Sequence, residues 1–304
     1  MARRAPWSIE DIPSQAGRTV IITGATSGIG YATAKVLADR GARVVIAARN
    51  EAKAAEAVAR IGGATETRPL DLADLDSVRE FAAGWDEPID ILINNAGVMA
   101  VPLSRTAQGF ELQFGTNHLG HFALTNLLLP KITDPGRAGG KSGSVACVAS
   151  TAHRMGHIDL ADLNWEHKRY QQWPAYGQSK LANLLFVLEL QRRLSAAGSA
   201  VRALAAHPGW ARTNLQGHSS NPIADRATLM ITRAIAQPAA HGAWPTLCAA
   251  TADLPGGSYV GPGQLFETRG RPQLVGRSAE ASDPRLAAQL WTASEQLTGV
   301  GFPL

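Results

Sequence analysis

The stretch that most restricts how this chain can fold is RTVIITGATSGIGYATAKVLADRGARVVIAAR, residues 18–49. An apolar run begins at Thr19 and leads into a turn holding Gly24, Gly28 and Gly30. A helical pattern follows with Ile29, Ala32, Val36 and Leu37 on its apolar side, and Gly41 turns the chain into a second apolar run ending at Ala48. Strand, glycine turn, helix and strand make one βαβ unit of a parallel sheet. Glycine is required where the backbone takes positive φ or approaches a ligand, and the helix opening there offers unpaired N–H groups to a phosphate. The unit therefore predicts a dinucleotide site. Glycines alone do not establish one, because any tight βα turn can use them. The spacing GxxxGxG is neither the GxGxxG fingerprint nor the GxxxxGK[ST] phosphate loop.

The rest of the chain continues the alternation. Residues 51–60 read as a helix closed by Gly62 and Gly63, and 65–70 as a third strand. Asp74 is placed to cap the helix carrying Val78 and Phe81. Residues 89–93 make a fourth strand, 110–129 a helix stopped by Pro130, 144–150 a fifth strand and 201–206 a sixth. A strongly periodic helix spans 176–194, further helices are expected over 224–236 and 241–252, and 258–260 form a short last strand. Strands alternating with helices predict an α/β fold, a doubly wound parallel sheet (Rossmann fold) covered on both faces. With no linker or repeat, the chain is expected to be one domain, with a core of about 16–265. A C-terminal extension of about 266–304 carries Leu286, Leu290, Trp291 and Leu297 in helical phase. In such a sheet ligands bind beyond the carboxyl ends of the strands. Gly24 to Gly30, Asn94 to Gly97, Ser150, and Pro208 with Gly209 all fall there.

Composition narrows the possibilities. The chain is 45% apolar and 18% charged, an ordinary globular balance. Its net charge of +4 is scattered, with no basic stripe to serve a nucleic acid. Cys147 and Cys248 both lie in apolar surroundings, which argues against a disulfide framework and for a reducing, cytoplasmic location. No apolar run is long enough to span a membrane or serve as a signal peptide. His153 and His157 have the spacing of a metal pair, but no third ligand follows, so no metal is expected.

TGATSGIG at 23–30, NNAG at 94–97, Asn117, Ser150 and YGQSK at 176–180 together resemble the short-chain dehydrogenase/reductase family over about residues 16–265. NHLGHF at 117–122, STAH at 150–153, YGQSKLANLLF from Tyr176 and HPGWARTNL from His207 are similar to the branch containing retinol dehydrogenases, the WW-domain-containing oxidoreductase and protochlorophyllide reductase. The resemblance implies one seven-stranded doubly wound domain. It also implies a catalytic set of Asn117, Ser150, Tyr176 and Lys180, the lysine holding the nicotinamide ribose and Asn117 kinking its helix to support a relay water. The glycine turn would contribute Gly24, Thr26, Ser27, Gly28, Ile29 and Gly30 to the cofactor site. Asp71 and Leu72 would close over adenine, Asn95, Ala96 and Gly97 would pass the adenosine, and Pro208, Gly209 and Thr213 would lie on the nicotinamide side. The chain departs from the pattern at Ala149, where a second serine is common, and in the absence of the membrane anchor of vertebrate retinol enzymes.

The residues support that chemistry directly. Tyr176 and Lys180 share one face of their helix at i,i+4. A phenol near pKa 10 is a poor acid at neutrality. A nearby ammonium, joined by the positive charge of an oxidised nicotinamide, is expected to lower it by roughly 1–3 units. Ser150 can hydrogen-bond the reacting oxygen. At the end of the second strand, Ala47-Ala48-Arg49-Asn50 lacks the carboxylate that an NAD enzyme carries there. An unopposed guanidinium there suits a 2′-phosphate, with Asn50 as a further donor, so NADP(H) is the expected cofactor. Val98, Met99, Trp165, Trp173, Trp210 and residues 215–231 are candidate walls for a hydrophobic carbonyl or alcohol. The expected activity is hydride transfer between nicotinamide and that substrate. A C=C reductase and a non-catalytic NADP-sensing interaction protein are the alternatives. Surplus apolar residues on the Tyr176 helix further suggest a homodimer.

Overall fold

A computed structural model describes residues 7–132, 142–209 and 238–304. The strands are β1 Thr19–Thr23, β2 Arg43–Ala48, β3 Thr65–Pro69, β4 Ile91–Asn94, β5 Ser144–Val148, β6 Arg202–Ala206, β7 Tyr259–Gln264 and β8 Arg269–Leu274. They form one sheet in the order β3-β2-β1-β4-β5-β6-β7-β8. All pairings are parallel until β8, which returns antiparallel to β7. The helices are α1 Gly28–Asp39, α2 Glu51–Ile61, α3 Leu75–Ala83, a short α4 Leu112–Phe114, α5 Gly120–Leu128, α6 Gln172–Ala196, α7 Ala239–Gly242, α8 Trp244–Thr251 and α9 Pro284–Thr298. Strands β1, β2, β4 and β5 are almost wholly apolar because both faces of the sheet are covered. One face buries Ile21, Val45, Leu92 and Val145 with α3, α5, α6 and α9. The other buries Val20, Ile22, Val44 and Ile46 with α1, α2 and α8.

The strand order does what the glycine unit foreshadows. The chain reverses direction across the sheet between β1 and β4, and this switch point sets the Gly24 turn beside the Asn94 loop. The ends of β5 and β6 follow in sequence along the same edge.

Several expectations need correction. The sheet has eight described strands, not seven. The extra one, RGRPQL, has no apolar alternation to announce it, and it pairs only because a tight turn at 265–268 folds it back on β7. Helix α6 starts at Gln172, a turn before Tyr176, with Pro174 in its first turn, where a missing N–H costs nothing. The 110–129 helix is interrupted by a π-helical turn at Gly115–Leu119. The helix expected at 224–236 and the wall residues at 215–231 lie outside the described residues.

Helix α6 is buried on nearly every side, and α9 covers the side away from the sheet. Trp291 stacks on Phe186 at 5.7 Å between centroids and meets Phe122 edge-on at 4.8 Å. The Arg193 guanidinium closes over the Trp291 ring at 4.6 Å. The chain's own last helix thus covers the part of α6 around Phe186, one portion of the apolar surface on which the homodimer expectation rests. Among the described residues, no helix is long and apolar enough to cross a membrane.

Candidate active site

The glycine turn is built for close approach. Gly24 has φ of +68°, and a Cβ there would lie 2.8 Å from the Ala96 side chain. A Cβ on Gly30 would lie 2.4 Å from Asn95 Nδ2. Helix α1 opens at Gly28 behind an extended Ser27 whose side chain does not cap it. The first-turn amides therefore present the positive end of a twelve-residue helix, as a phosphate requires. Thr26 is half-buried and Ser27 exposed on the rim, whereas Ile29 packs inward. Judged by this cradle, the residues present fit a dinucleotide.

The neighbouring segments hold the cradle more than they line it. Asn95 Nδ2 donates to the Thr23 carbonyl at 2.8 Å, and the N–H groups of Asn95 and Ala96 both donate to Thr23 Oγ1. Leu72 is buried against α5, where a Cβ on Gly120 would meet its carbonyl at 2.4 Å. Asn50 Oδ1 caps α2 by accepting the Lys53 N–H at 2.9 Å. Arg49 is not unopposed as expected. Its guanidinium lies 3.6 Å from Asp71 Oδ2, because the parallel pairing of β2 and β3 brings both strand ends to the same edge.

The four expected catalytic side chains converge at the ends of β4 and β5. Tyr176 and Lys180 lie in the second and third turns of α6 and are both buried. Lys180 Nζ donates to the Val148 carbonyl at 3.0 Å and lies 5.8 Å from the Tyr176 ring centre. Ser150 stands close enough to the Tyr176 phenol to moderate its pKa, and its Oγ accepts the Ala152 N–H at 3.1 Å. The Asn117 amide sits in the π turn and grips Val98 at both ends, accepting its N–H at 2.8 Å and donating to its carbonyl at 2.9 Å. It also donates to Ser179 Oγ. Gly97 is needed there, since a Cβ would stand 2.9 Å from Asn117 Oδ1.

The electrostatics differ from the sequence expectation. Burial pushes the Tyr176 phenol up to about 12, and the Ser150 side chain opposes the shift only in part. Burial likewise pulls the Lys180 ammonium down to about 8. Desolvation of the charged form is the largest cause at both groups, so the phenol stands above its ordinary value instead of below it. Cys147, deep beneath the site, is driven up to about 12 and is no nucleophile.

Sequence reasoning missed a set of supports. The buried Glu111 carboxylate caps α4 by accepting the N–H groups of Gln113 and Phe114, and it accepts the Tyr170 hydroxyl at 2.9 Å. Gln113 in turn donates to Tyr170 and accepts the Ala100 N–H at 2.7 Å, which pins a left-handed Ala100 beside Val98 and Met99. His153 Nδ1 bonds the Ser150 carbonyl at 2.7 Å and Nε2 accepts the Ser278 N–H, tying the serine to the C-terminal extension. His157 pairs with Glu280 instead of joining His153. His118 Nε2 meets Ser294 Oγ of α9 at 2.8 Å. Of these histidines, only His153, at i+3 from Ser150, had a spacing in the sequence that could have flagged it.

Of the candidate walls, Trp165 is buried against Tyr170 and packs its own loop. Trp173 is half exposed and stands edge-on to Tyr176 at 6.1 Å. An open hollow of about 220 Å³ lies beside Thr151, Gly209, Phe266, Glu267 and Thr268. Gly209 and Pro208 sit at the end of β6, whereas Trp210 and Thr213 lie outside the described residues.

The sequence profile of the short chain dehydrogenase family matches residues 18–223, and the chain belongs to that family. It is similar to human (Homo sapiens) retinol dehydrogenase 13, with 42% identity over 96% of this chain and 88% of that protein. It is also similar to polyprenol dehydrogenase of Mus musculus, with 40% identity over 95% of this chain and 86% of the relative. A crystal structure of an uncharacterized protein from Mycobacterium Paratuberculosis superposes with a TM-score of 0.84 at 53% identity, covering 98% of this chain and all of that one. The chain is accordingly an oxidoreductase of the NAD(P)-dependent kind acting on a carbonyl or alcohol, related to the retinol and polyprenol dehydrogenases.

Proposed function

We propose that the protein is an NADP(H)-dependent oxidoreductase acting on the carbonyl or secondary alcohol of a hydrophobic substrate, with Asn117, Ser150, Tyr176 and Lys180 as its catalytic set. The observation that carries this reading is the convergence of Ser150, Tyr176 and Lys180 beside an uncapped helix N-terminus and a glycine cradle. When bound, the cofactor supplies or accepts the hydride.

The chain's own groups handle the proton. Tyr176 Oη delivers it to the substrate oxygen in reduction and receives it in oxidation, while Ser150 Oγ hydrogen-bonds the same oxygen. A phenol held at about 12 is protonated and ready to donate. In the reverse direction it needs added positive charge nearby, and Lys180, buried within 5.8 Å of the ring, contributes part of it. Asn117 keeps the Val98 segment against Ser179 and so holds the floor of the cleft. The half-exposed Trp173 beside Tyr176, and the exposed Phe266 lining the hollow next to Thr151, favour an apolar substrate body. The names of the retinol and polyprenol relatives point the same way. Arg49 is the proposed partner of a 2′-phosphate, in competition with Asp71.

Purified protein with NADPH or NADH and a panel of aliphatic, aromatic and steroidal ketones tests the proposal. Cofactor oxidation, faster with NADPH and with the more apolar ketones, is expected. Preference for small polar carbonyls, or for NADH, would refute the substrate or cofactor assignment respectively.

A further inference from the structure

His121 lies one helical turn beyond Asn117, fully buried, and takes no part in the chemistry above. Its two ring nitrogens are both engaged. Nδ1 is 3.0 Å from the Asn117 main-chain carbonyl, and Nε2 is 2.8 Å from Thr23 Oγ1 at the end of β1. A carbonyl only accepts, so Nδ1 carries the proton. Burial holds the ring neutral, with its pKa pulled down to about 4. Nε2 is therefore an acceptor, and the Thr23 hydroxyl donates to it. The hydroxyl's alternative acceptor, the Ile93 carbonyl at 3.4 Å, is the poorer one. The lone pairs of Oγ1 are then left to receive the N–H of Asn95 at 2.9 Å and of Ala96 at 3.0 Å. Each donor and acceptor has one role, and the bonds run in a single direction from the Asn95–Ala96 amides through Thr23 and His121 to Asn117.

This chain of bonds joins parts that the fold brings together from distant sequence. One end is the segment facing the glycine cradle, where Asn95 already bonds the Thr23 carbonyl. The other end is the π turn whose Asn117 side chain grips Val98 and Ser179, next to Lys180. Thr23 of strand β1 and His121 of helix α5 are the middle links, and they add to two more direct ties between these parts, the Asn117 amide on Val98 and Asn94 Nδ2 donating to Thr125 Oγ1 of α5.

We propose that His121 is a positioning residue: through Thr23 and the Asn117 carbonyl it sets the spacing between the Asn95–Gly97 wall and the Asn117 turn, and so the width of the cofactor cleft. The proposal rests on the dinucleotide reading above. His121 touches neither cofactor nor substrate, and it acts only by holding groups that do.

A double-mutant cycle tests it. Thr23→Val, His121→Phe and the double variant are titrated with NADPH by fluorescence, with turnover followed on the best ketone of the panel. Each single change removes hydrogen bonds from the same chain and is expected to weaken NADPH by about three- to tenfold. The double variant is expected to be no worse than the poorer single, because either break opens the chain. kcat should fall while KM for the ketone stays within about twofold, as a role confined to the cofactor cleft requires. Thr23→Ser keeps the hydroxyl and should restore wild-type binding. His121→Gln offers one donor and one acceptor, covers the case in which the phenyl variant fails to fold, and should lose less than His121→Phe. Multiplying losses in the double variant, unchanged NADPH binding in both singles, or equal losses for Thr23→Ser and Thr23→Val would overturn the role of His121. A wild type that binds neither NADPH nor NADH would instead overturn the dinucleotide reading itself.

Discussion

Replacing Asp71 by asparagine should sharpen the preference for NADPH over NADH. Arg49 is largely exposed, at 76%, and its guanidinium is shared with Asp71 at 3.6 Å. A charge-assisted bond from Arg49 to a 2′-phosphate contributes about 1.5–3 kcal/mol. An exposed pair such as Arg49 with Asp71 is worth about 0–1 kcal/mol, and the carboxylate would also face the incoming phosphate. The difference runs from about 0.5 to 3 kcal/mol and centres at about 1.8, which is about a twentyfold preference for NADPH in the wild type. Asparagine keeps Oδ1 as acceptor for the Ala73 N–H, now 2.9 Å away, and removes only the charge. The ratio of dissociation constants should then rise by up to about fivefold, while Arg49→Ala should bring it close to one. The assay is fluorescence titration with both reduced cofactors at fixed salt, repeated at high salt, where the preference should shrink because the guanidinium is exposed. Wild-type binding of NADH as tight as NADPH, or a ratio that falls in Asp71→Asn, would refute the assignment of the phosphate to Arg49.

Tyr176→Phe should abolish turnover while NADPH affinity stays within a few-fold, as steady-state rates and titration will show; residual activity near wild type would remove the phenol from the chemistry. Trp291→Ala should destabilise the protein by about 3–5 kcal/mol, since the ring is buried against Phe186 and Phe122, and a loss below about 1 kcal/mol in denaturant unfolding would mean that α9 is a loose appendage. Stability should also fall on mild acidification. His118 and His121 have folded pKa values of about 3 and about 4 against an ordinary 6.5. Below pH 6.5 the unfolded chain therefore binds protons that the folded one refuses. Each ring should cost about 2 kcal/mol by pH 5, with no such loss above pH 7. Equal unfolding free energies at pH 7 and pH 5 would contradict the neutral, buried state of both rings.

What residues near in sequence accomplish was readable from the sequence. The βαβ unit, the alternation of strands and helices, the i,i+4 pairing of Tyr176 with Lys180 and the apolar phase of the last helix are all local patterns. Periodicity, glycine spacing and helix geometry state them directly. What required tertiary structure is what depends on how segments meet. The opposition of Asp71 to Arg49 comes from the register of β2 with β3. The cover that α9 lays over α6 decides whether an apolar stripe faces a partner or the same chain. Strand β8 has no apolar code of its own and exists because β7 offers an edge. The pKa of Tyr176 depends on burial, which no i,i+4 spacing reveals. His121 shows the division most plainly. Its distance in sequence from Asn117 is visible at once, whereas the Thr23 hydroxyl that fixes its tautomer lies across the sheet, where only the packing of α5 on β1 could bring it.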